Sequence, residues 1–285
     1  MSSLLQLPLQ RVVIAGGIEC HYAEAGDGPA LVFVHGGMGD WTAWATQWPA
    51  FTPHFRCISY SRRYSSPNRN AIAGTDHSVF VEAEDLAGLL DHWQAAPAVL
   101  VGTSYGAYTA LQLALAAPDK VLALALTEPP VLPFADRVLG GREARLAFER
   151  DVLDPATEAY VAGATARAVR LLTEGINGSG PGESSTDDGY ARRLRNAQAM
   201  QALSLSSDPY PALDEDALRA LRIPTLLLTG EHTMPIHRAT TAALQELLPQ
   251  AQVRVIPACG HGVHRDNPAV FNEVVLGFLR ESLLP

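Results

Sequence analysis

Lysine is almost absent from this chain: Lys120 stands alone among 21 basic residues, and all the others are arginine. That bias carries no function on its own. Basic charge as a whole is also short, since 30 acidic residues leave a net charge of -9. Such a balance excludes binding to nucleic acid or to an anionic membrane through bulk charge. Cysteine is limited to Cys20, Cys57 and Cys259. Three residues so far apart, at least one of them left over, argue against a disulfide framework and for a reducing cytoplasm. No Cys-x-x-Cys pair occurs, and the His-x-x-His of His261 and His264 has no further ligands nearby, so no metal site is expected. No apolar run approaches the roughly 20 residues that cross a bilayer. The opening MSSLLQLPLQRVV has neither the basic start nor the long apolar stretch of a secretion signal, so none is expected.

What is present describes an ordinary folded protein, with 47% hydrophobic and 18% charged residues over a length of 285. That length fits one α/β domain plus an insertion, or two small domains. RVVIAGGIECHYAEAG (11–26) reads as a hairpin around Gly-Gly, and ALVFVHGG (30–37) as a short buried strand running into glycines. FRCISYS (55–61), AVLVGTS (98–104), VLALALTE (121–128), IPTLLLTGE (223–231) and QVRVIPACGH (252–261) are further strands. Helical spacing marks 79–93, 105–117, 236–248 and 268–282. Short apolar strands alternating with helices imply a mostly parallel sheet covered on both faces. From Leu132 to Asp216 the strand signals vanish and Ala, Arg and Leu recur at helical spacing. An interval that long is no plain connection. We therefore expect a core over 1–131 and 217–285, with a helical cap inserted over 132–216. Within it, INGSGPGESSTDDG (176–189) reads as a flexible loop, either a connector or a lid hinge.

The chemistry begins at Gly102-Thr103-Ser104-Tyr105-Gly106. A serine between two glycines, after a strand and before a helix, is a nucleophile elbow in the context that the turn requires. The turn is tight enough to exclude bulky neighbours, lifts the hydroxyl above the sheet edge, and backs it with a helix N-terminus.

Here the chain resembles the α/β-hydrolases over nearly its whole length, and the resemblance implies the remaining parts. His35-Gly36-Gly37 after the third strand stands where that family places half of its oxyanion hole. The expected donors are the backbone N–H groups of Gly37 and Tyr105, with Met38 a weaker alternative to Gly37; His35 is usually structural. His261 lies between the last strand and the last helix, where the family carries its catalytic histidine, and His264 is a weak rival. The family most often sets its aspartate near Thr233, and threonine cannot carry that charge. The other family location is the end of the preceding strand, where this chain has Glu128-Pro129-Pro130; Glu231 is the runner-up. In SRRYSSPN (61–68), Ser61 and Tyr64 depart from the family pattern. A substrate-carboxylate role for Arg62 or Arg63 is the minority reading there, and Tyr64 and Trp41 are as readily packing residues as pocket lining.

The expectation is thus an α/β-hydrolase with a Ser104–His261–Glu128 triad, cleaving a small ester, lactone or thioester without cofactor or metal. Its only expected partner is a small-molecule substrate. A serine nucleophile argues against the family's dehalogenases and epoxide hydrolases, whose nucleophile is aspartate. Two alternatives stay open because one fold supports several chemistries. One is cofactor-free carbon–carbon hydrolysis, cyanohydrin cleavage or dioxygenation on the same triad. The other is a small-ligand receptor with a decayed site.

Overall fold

Alternation along the buried strands sets the architecture. In ALVFV, Leu31 and Phe33 belong to one apolar cluster, and Val32 and Val34 to a second. The same split parts Leu100 from Val99 and Val101, and Leu227 from Leu226 and Leu228. A period of two with both faces apolar needs helices on each side of the sheet. The computed structural model, which describes residues 3–178 and 187–283, has that arrangement. Its strands are β1 (Gln10–Ile14), β2 (Ile18–Ala25), β3 (Ala30–Val34), β4 (Arg56–Tyr60), β5 (Ala98–Thr103), β6 (Val121–Thr127), β7 (Thr225–Gly230) and β8 (Gln252–Ile256). They form one sheet in the order β1-β2-β4-β3-β5-β6-β7-β8. The expected hairpin is β1 and β2, and β2 pairs antiparallel with both β1 and β4; the other pairings are parallel.

The helices are α1 (Trp48–Phe51), α2 (Val79–His92), α3 (Tyr105–Ala116), α4 (Gly141–Phe148), α5 (Asp154–Val161), α6 (Thr165–Asn177), α7 (Asp187–Arg195), α8 (Ala197–Ser204), α9 (Glu215–Ala220), α10 (Pro235–Leu247), α11 (Val263–Asp266) and α12 (Pro268–Leu283). One face of the sheet is closed by α2, α3 and α10 through Leu86, Leu89, Leu111 and Leu244. The opposite face is closed by α12 and the segment around α1, through Trp44, Trp48, Phe271 and Val275. None of the described helices is long and apolar enough to cross a membrane.

Two features of this topology position a site. From β3 the chain turns outward to β4, then returns so that β5 lies on the other side of β3. Strand order reverses there, and such a switch opens a crevice at the carboxyl ends of the two strands. His35-Gly36-Gly37 follow β3 and Ser104 follows β5, so both motifs meet at that crevice. The second feature is the interval between β6 and β7. It holds α4 to α9 and no strand among its described residues. Of the loop read over 176–189, Ile176 and Asn177 end α6 and Asp187 begins α7; residues 179–186 lie outside the described residues.

Candidate active site

Ser104 is the single residue between β5 and α3, at φ 53 and ψ -125. A non-glycine residue in that conformation costs about 1–3 kcal/mol and persists only where the surroundings over-determine it. The two glycines show how. A Cβ on Gly102 would come within 2.7 Å of the Ala107 Cα, and one on Gly106 within 2.3 Å of the Val34 carbonyl oxygen. These neighbours are backbone and cannot move aside. A Cβ on Gly36 would meet the Ser104 Cβ at 3.3 Å, so the loop after β3 lies directly against the elbow.

That loop is fixed from within. His35 is fully buried; its Nδ1 lies 2.8 Å from the Gly36 carbonyl and its Nε2 accepts the Arg62 N–H at 3.0 Å. Burial first, then the Arg62 charge, pull its pKa down to about 4, which keeps the ring neutral. The Gly37 N–H has no hydrogen-bond partner among the described residues. Tyr105 opens α3, so its N–H is one of the orphan donors of a helix N-terminus. Two unspent N–H groups therefore flank Ser104.

Glu128 directly follows the neighbouring strand β6, at φ 44, with no exposure to solvent. Its carboxylate accepts four hydrogen bonds. Oε1 takes the Thr229 hydroxyl at 2.6 Å and the Gly230 N–H at 2.9 Å; Oε2 takes the Thr233 hydroxyl at 2.9 Å and lies 2.6 Å from His261 Nδ1. Burial alone would raise its pKa, but the hydrogen bond and charge of His261, the nearby His237 and the Thr229 hydroxyl outweigh that and hold it at about 2. An ionised carboxylate accepting from Nδ1 places the ring proton there and leaves Nε2 as an acceptor. That Nε2 is buried and has no partner among the described residues. The structure thus brings Glu128 to His261. It does not bring Glu231, whose half-exposed carboxylate accepts the Ala258 N–H at 2.9 Å in a surface turn. Thr233, at the position where the family most often sets its aspartate, donates to the Glu128 carboxylate instead.

Ser104, His261, Gly37 and Tyr105 border one cavity of about 560 Å³. Part of its wall comes from the inserted helices: Phe148, Ile176, Met200 and the arginines of α7. Met200 lies so close to the oxyanion loop that a Cβ on Gly37 would sit 2.4 Å from its sulfur. His237 is a residue that sequence reasoning left unassigned. Its ring stacks on His261 with centroids 4.0 Å apart and planes 23° from parallel, and its Nε2 lies 2.9 Å from the Ile176 carbonyl. Burial, then the His261 charge, pull its pKa down to about 4, so it packs as a neutral plate. No sequence signal marks a histidine in the first turn of an amphipathic helix. Glu128, His237 and His261 have donor atoms within 4.8 Å of one another and could hold a cation, but the four hydrogen bonds already occupy that carboxylate.

The remaining candidate residues are held in packing and ion-pair contacts. His264 is fully buried with its ring 4.6 Å from that of Trp44. Arg63 is bound to Asp85 by two bonds of 2.7 Å. The Arg62 guanidinium is buried beside Glu82, 5.2 Å from the Tyr105 ring centroid, and does not reach the cavity wall. Tyr64 packs edge-on against His77, and neither it nor Trp41 lines the cavity. All three cysteines are free and buried.

Comparison with known proteins bears on the family and the fold. A family model for the alpha/beta hydrolase fold matches residues 29–268. The chain is 27% identical over 280 residues to 2-(acetamidomethylene)succinate hydrolase of Mesorhizobium japonicum, covering 95% of each. It is 28% identical over 281 residues to 2-hydroxy-6-oxo-2,4-heptadienoate hydrolase of Pseudomonas putida, covering 94% of this chain and 95% of the relative. Among solved structures, an esterase of a Rhodococcus species superposes with a TM-score of 0.76 at 20% identity, over 96% of this chain and 99% of that one.

Proposed function

The chain belongs to the α/β-hydrolase family, and on that premise we propose that it is a serine hydrolase cleaving a small ester, lactone or thioester through an acyl-enzyme. The observation that carries the reading is the 2.6 Å contact between Glu128 Oε2 and His261 Nδ1, on the same cavity as the elbow serine. His261 Nε2, left as an acceptor, takes the Ser104 proton as Oγ attacks the substrate carbonyl. The tetrahedral oxyanion lies between the N–H groups of Gly37 and Tyr105, where one donor is worth about 3–4 kcal/mol in the transition state. Glu128 balances the imidazolium without taking its proton. His261 then protonates the leaving group, and water, activated by the same nitrogen, releases the acyl group. The helices of 132–216 serve as a cap, since Phe148, Ile176 and Met200 line the cavity that Ser104 borders.

The two hydrolase relatives favour a second reading, hydrolysis of a carbon–carbon bond or of an enamide on the same triad. Both readings need Ser104 and His261 in the roles given.

A fluorophosphonate probe tests the core of the proposal. Wild-type protein should label at Ser104 and turn over 4-nitrophenyl esters. Ser104→Ala should fold, resist labelling, and lose turnover by about 10⁴ or more. Wild-type-like turnover in that variant would remove the nucleophile assignment.

A further inference from the structure

The His261 ring is tied down at one edge. Its Nδ1 donates to Glu128 Oε2 at 2.6 Å, while Nε2 has no partner among the described residues. A ring held at a single edge can still pivot about that contact, so the direction of Nε2 depends on what packs against its faces. His237 covers one face, with ring centroids 4.0 Å apart and planes 23° from parallel.

His237 is itself held by a single hydrogen bond. A carbonyl oxygen only accepts, so the 2.9 Å contact between His237 Nε2 and the Ile176 carbonyl places the ring proton on Nε2. Its Nδ1 is buried and has no partner among the described residues. Ile176 stands in the last turn of α6, where carbonyls lack a partner within the helix. His237 therefore caps a helix of the inserted segment with one edge and covers the proposed base with its face. The same short stretch meets the loops of the site at two more points. A Cβ on Gly178 would lie 3.1 Å from the Met234 sulfur, and one on Gly260 3.8 Å from the Asn177 carbonyl oxygen. Met234 directly precedes α10, which carries His237, and Gly260 directly precedes His261. The end of α6 is thus seated on both elements whose histidines stack.

Histidine combines two properties here. Any flat ring could cover His261, but only one with an N–H at its edge can also bind the helix end. Burial keeps the ring neutral, so it sets no second positive charge beside the imidazolium formed during attack.

We propose that His237 is a positioning residue that makes the orientation of His261 depend on the seating of α6. This deepens the serine-hydrolase reading and rests on it for the role of His261. With α6 in place, the Ile176 carbonyl holds the His237 ring against His261 and keeps Nε2 available to the Ser104 hydroxyl. When α6 shifts, that hold is released and the base loses its direction, and a misplacement of roughly 1 Å can cost about a hundredfold in rate.

Three measurements test this. The first is turnover of 4-nitrophenyl acetate, with kcat referred to active sites counted by complete fluorophosphonate labelling. His237→Ala removes both face and N–H, and kcat should fall about tenfold to a hundredfold while KM stays within about threefold. His237→Phe restores the face and should return kcat to within about fivefold of wild type. Wild-type kcat in His237→Ala, or a phenylalanine variant as slow as the alanine one, would overturn the proposal.

The second measurement moves α6 without altering either histidine. A Cβ on Gly175 would come within 2.3 Å of the Val152 side chain, which is β-branched and stiff, so Gly175→Ala should displace the end of the helix. That variant should lose about fivefold or more in kcat, and adding Val152→Ala, which clears the space, should restore it. In the His237→Phe background Gly175→Ala should change kcat little, because the link is already cut. Equal losses in the two backgrounds would mean that α6 acts by another route, and would overturn the proposal.

The third needs no turnover. Exchange of the His261 Nδ1 proton with water, followed by NMR on ¹⁵N-histidine-labelled protein, should quicken about tenfold or more in His237→Ala and in Gly175→Ala. It should stay near the wild-type rate in His237→Phe. If wild-type protein turns over no ester, the hydrolase reading fails and this exchange alone decides the positioning role. Equal exchange in wild type and in both quickening variants would overturn it.

Discussion

Replacing Glu128 with glutamine exchanges one carboxylate oxygen for an NH₂ group, and the geometry dictates where that group goes. The carboxylate serves four donors: the hydroxyls of Thr229 and Thr233, the Gly230 N–H and the His261 ring. A hydroxyl can rotate to accept, but the Gly230 N–H cannot. The introduced amide must therefore keep its carbonyl oxygen on the Gly230 side and turn its NH₂ toward His261. Nδ1 then has to accept, the ring proton moves to Nε2, and the proposed base can no longer take a proton from Ser104. A misplaced tautomer of this kind costs about 10⁴ in kcat, or roughly 5.5 kcal/mol of transition-state stabilisation. Two assays follow the two steps. Turnover of a 4-nitrophenyl ester reads the rate, and imidazole ¹⁵N shifts read the tautomer, which should switch from Nδ1–H to Nε2–H. Glu231→Gln should do neither, because among the described residues that carboxylate meets only the Ala258 N–H and His232 in surface turns. A Glu128→Gln variant within tenfold of wild type, or a crippled Glu231→Gln, would refute the reasoning.

Two other outcomes follow from particular contacts. In Gly37→Ala the new Cβ presses on the Met200 sulfur at 2.4 Å; because a methionine side chain gives way, the protein should fold while the loop and α8 shift, with up to roughly 10²-fold lost activity. Adding Met200→Ala should recover much of that loss, and a double-mutant cycle with no coupling would argue against the contact. Acid stability should depend on Glu128, whose pKa falls from 4.5 to about 2 on folding. A depressed carboxylate stabilises the fold fully above the unfolded value, and the contribution disappears as pH drops through the folded one. Roughly 3 kcal/mol is therefore present above about pH 4.5 and gone below about pH 2. Urea midpoints of wild type and Glu128→Gln should converge over that window, and a gap that stays constant would contradict the linkage.

How much of this was legible in the sequence depends on how local each constraint is. The elbow announces itself because its demands are met within a few residues and one neighbouring strand: Gly102 lies against Ala107, and Gly106 against Val34. The alternation of β3, β5, β6 and β7 is equally local, and the parallel sheet follows from it. The inserted helices were legible as a helical cap, but not which of their side chains border the cavity. In α7, DDGYARRLR reads as a solvated face whether or not it borders a cavity, and only the anchoring of Asn196 to Ser66 and Asp40 shows which way it is held. His237 lay beyond reach for the same reason. Its stacking on His261 arises where a loop and a helix meet, and a histidine in a helix carries no periodic mark.

The acid shows the limit most clearly. A threonine at position 233 points to Glu128, but sequence alone treats the two positions as alternatives, one empty and one filled. The structure makes them parts of one arrangement. A carboxylate buried at the end of β6 must have its lone pairs satisfied. The neighbouring strand end supplies the Thr229 hydroxyl and the Gly230 N–H, and the turn beyond it supplies the Thr233 hydroxyl. An aspartate at 233 would bring a second negative charge to the same spot, and each would raise the other's pKa. Threonine there does the opposite, donating to Oε2 of the carboxylate that holds His261. The position that most often carries the family's acid is therefore a donor position in this chain, and the glutamate on the adjacent strand is stable as an anion partly because of it.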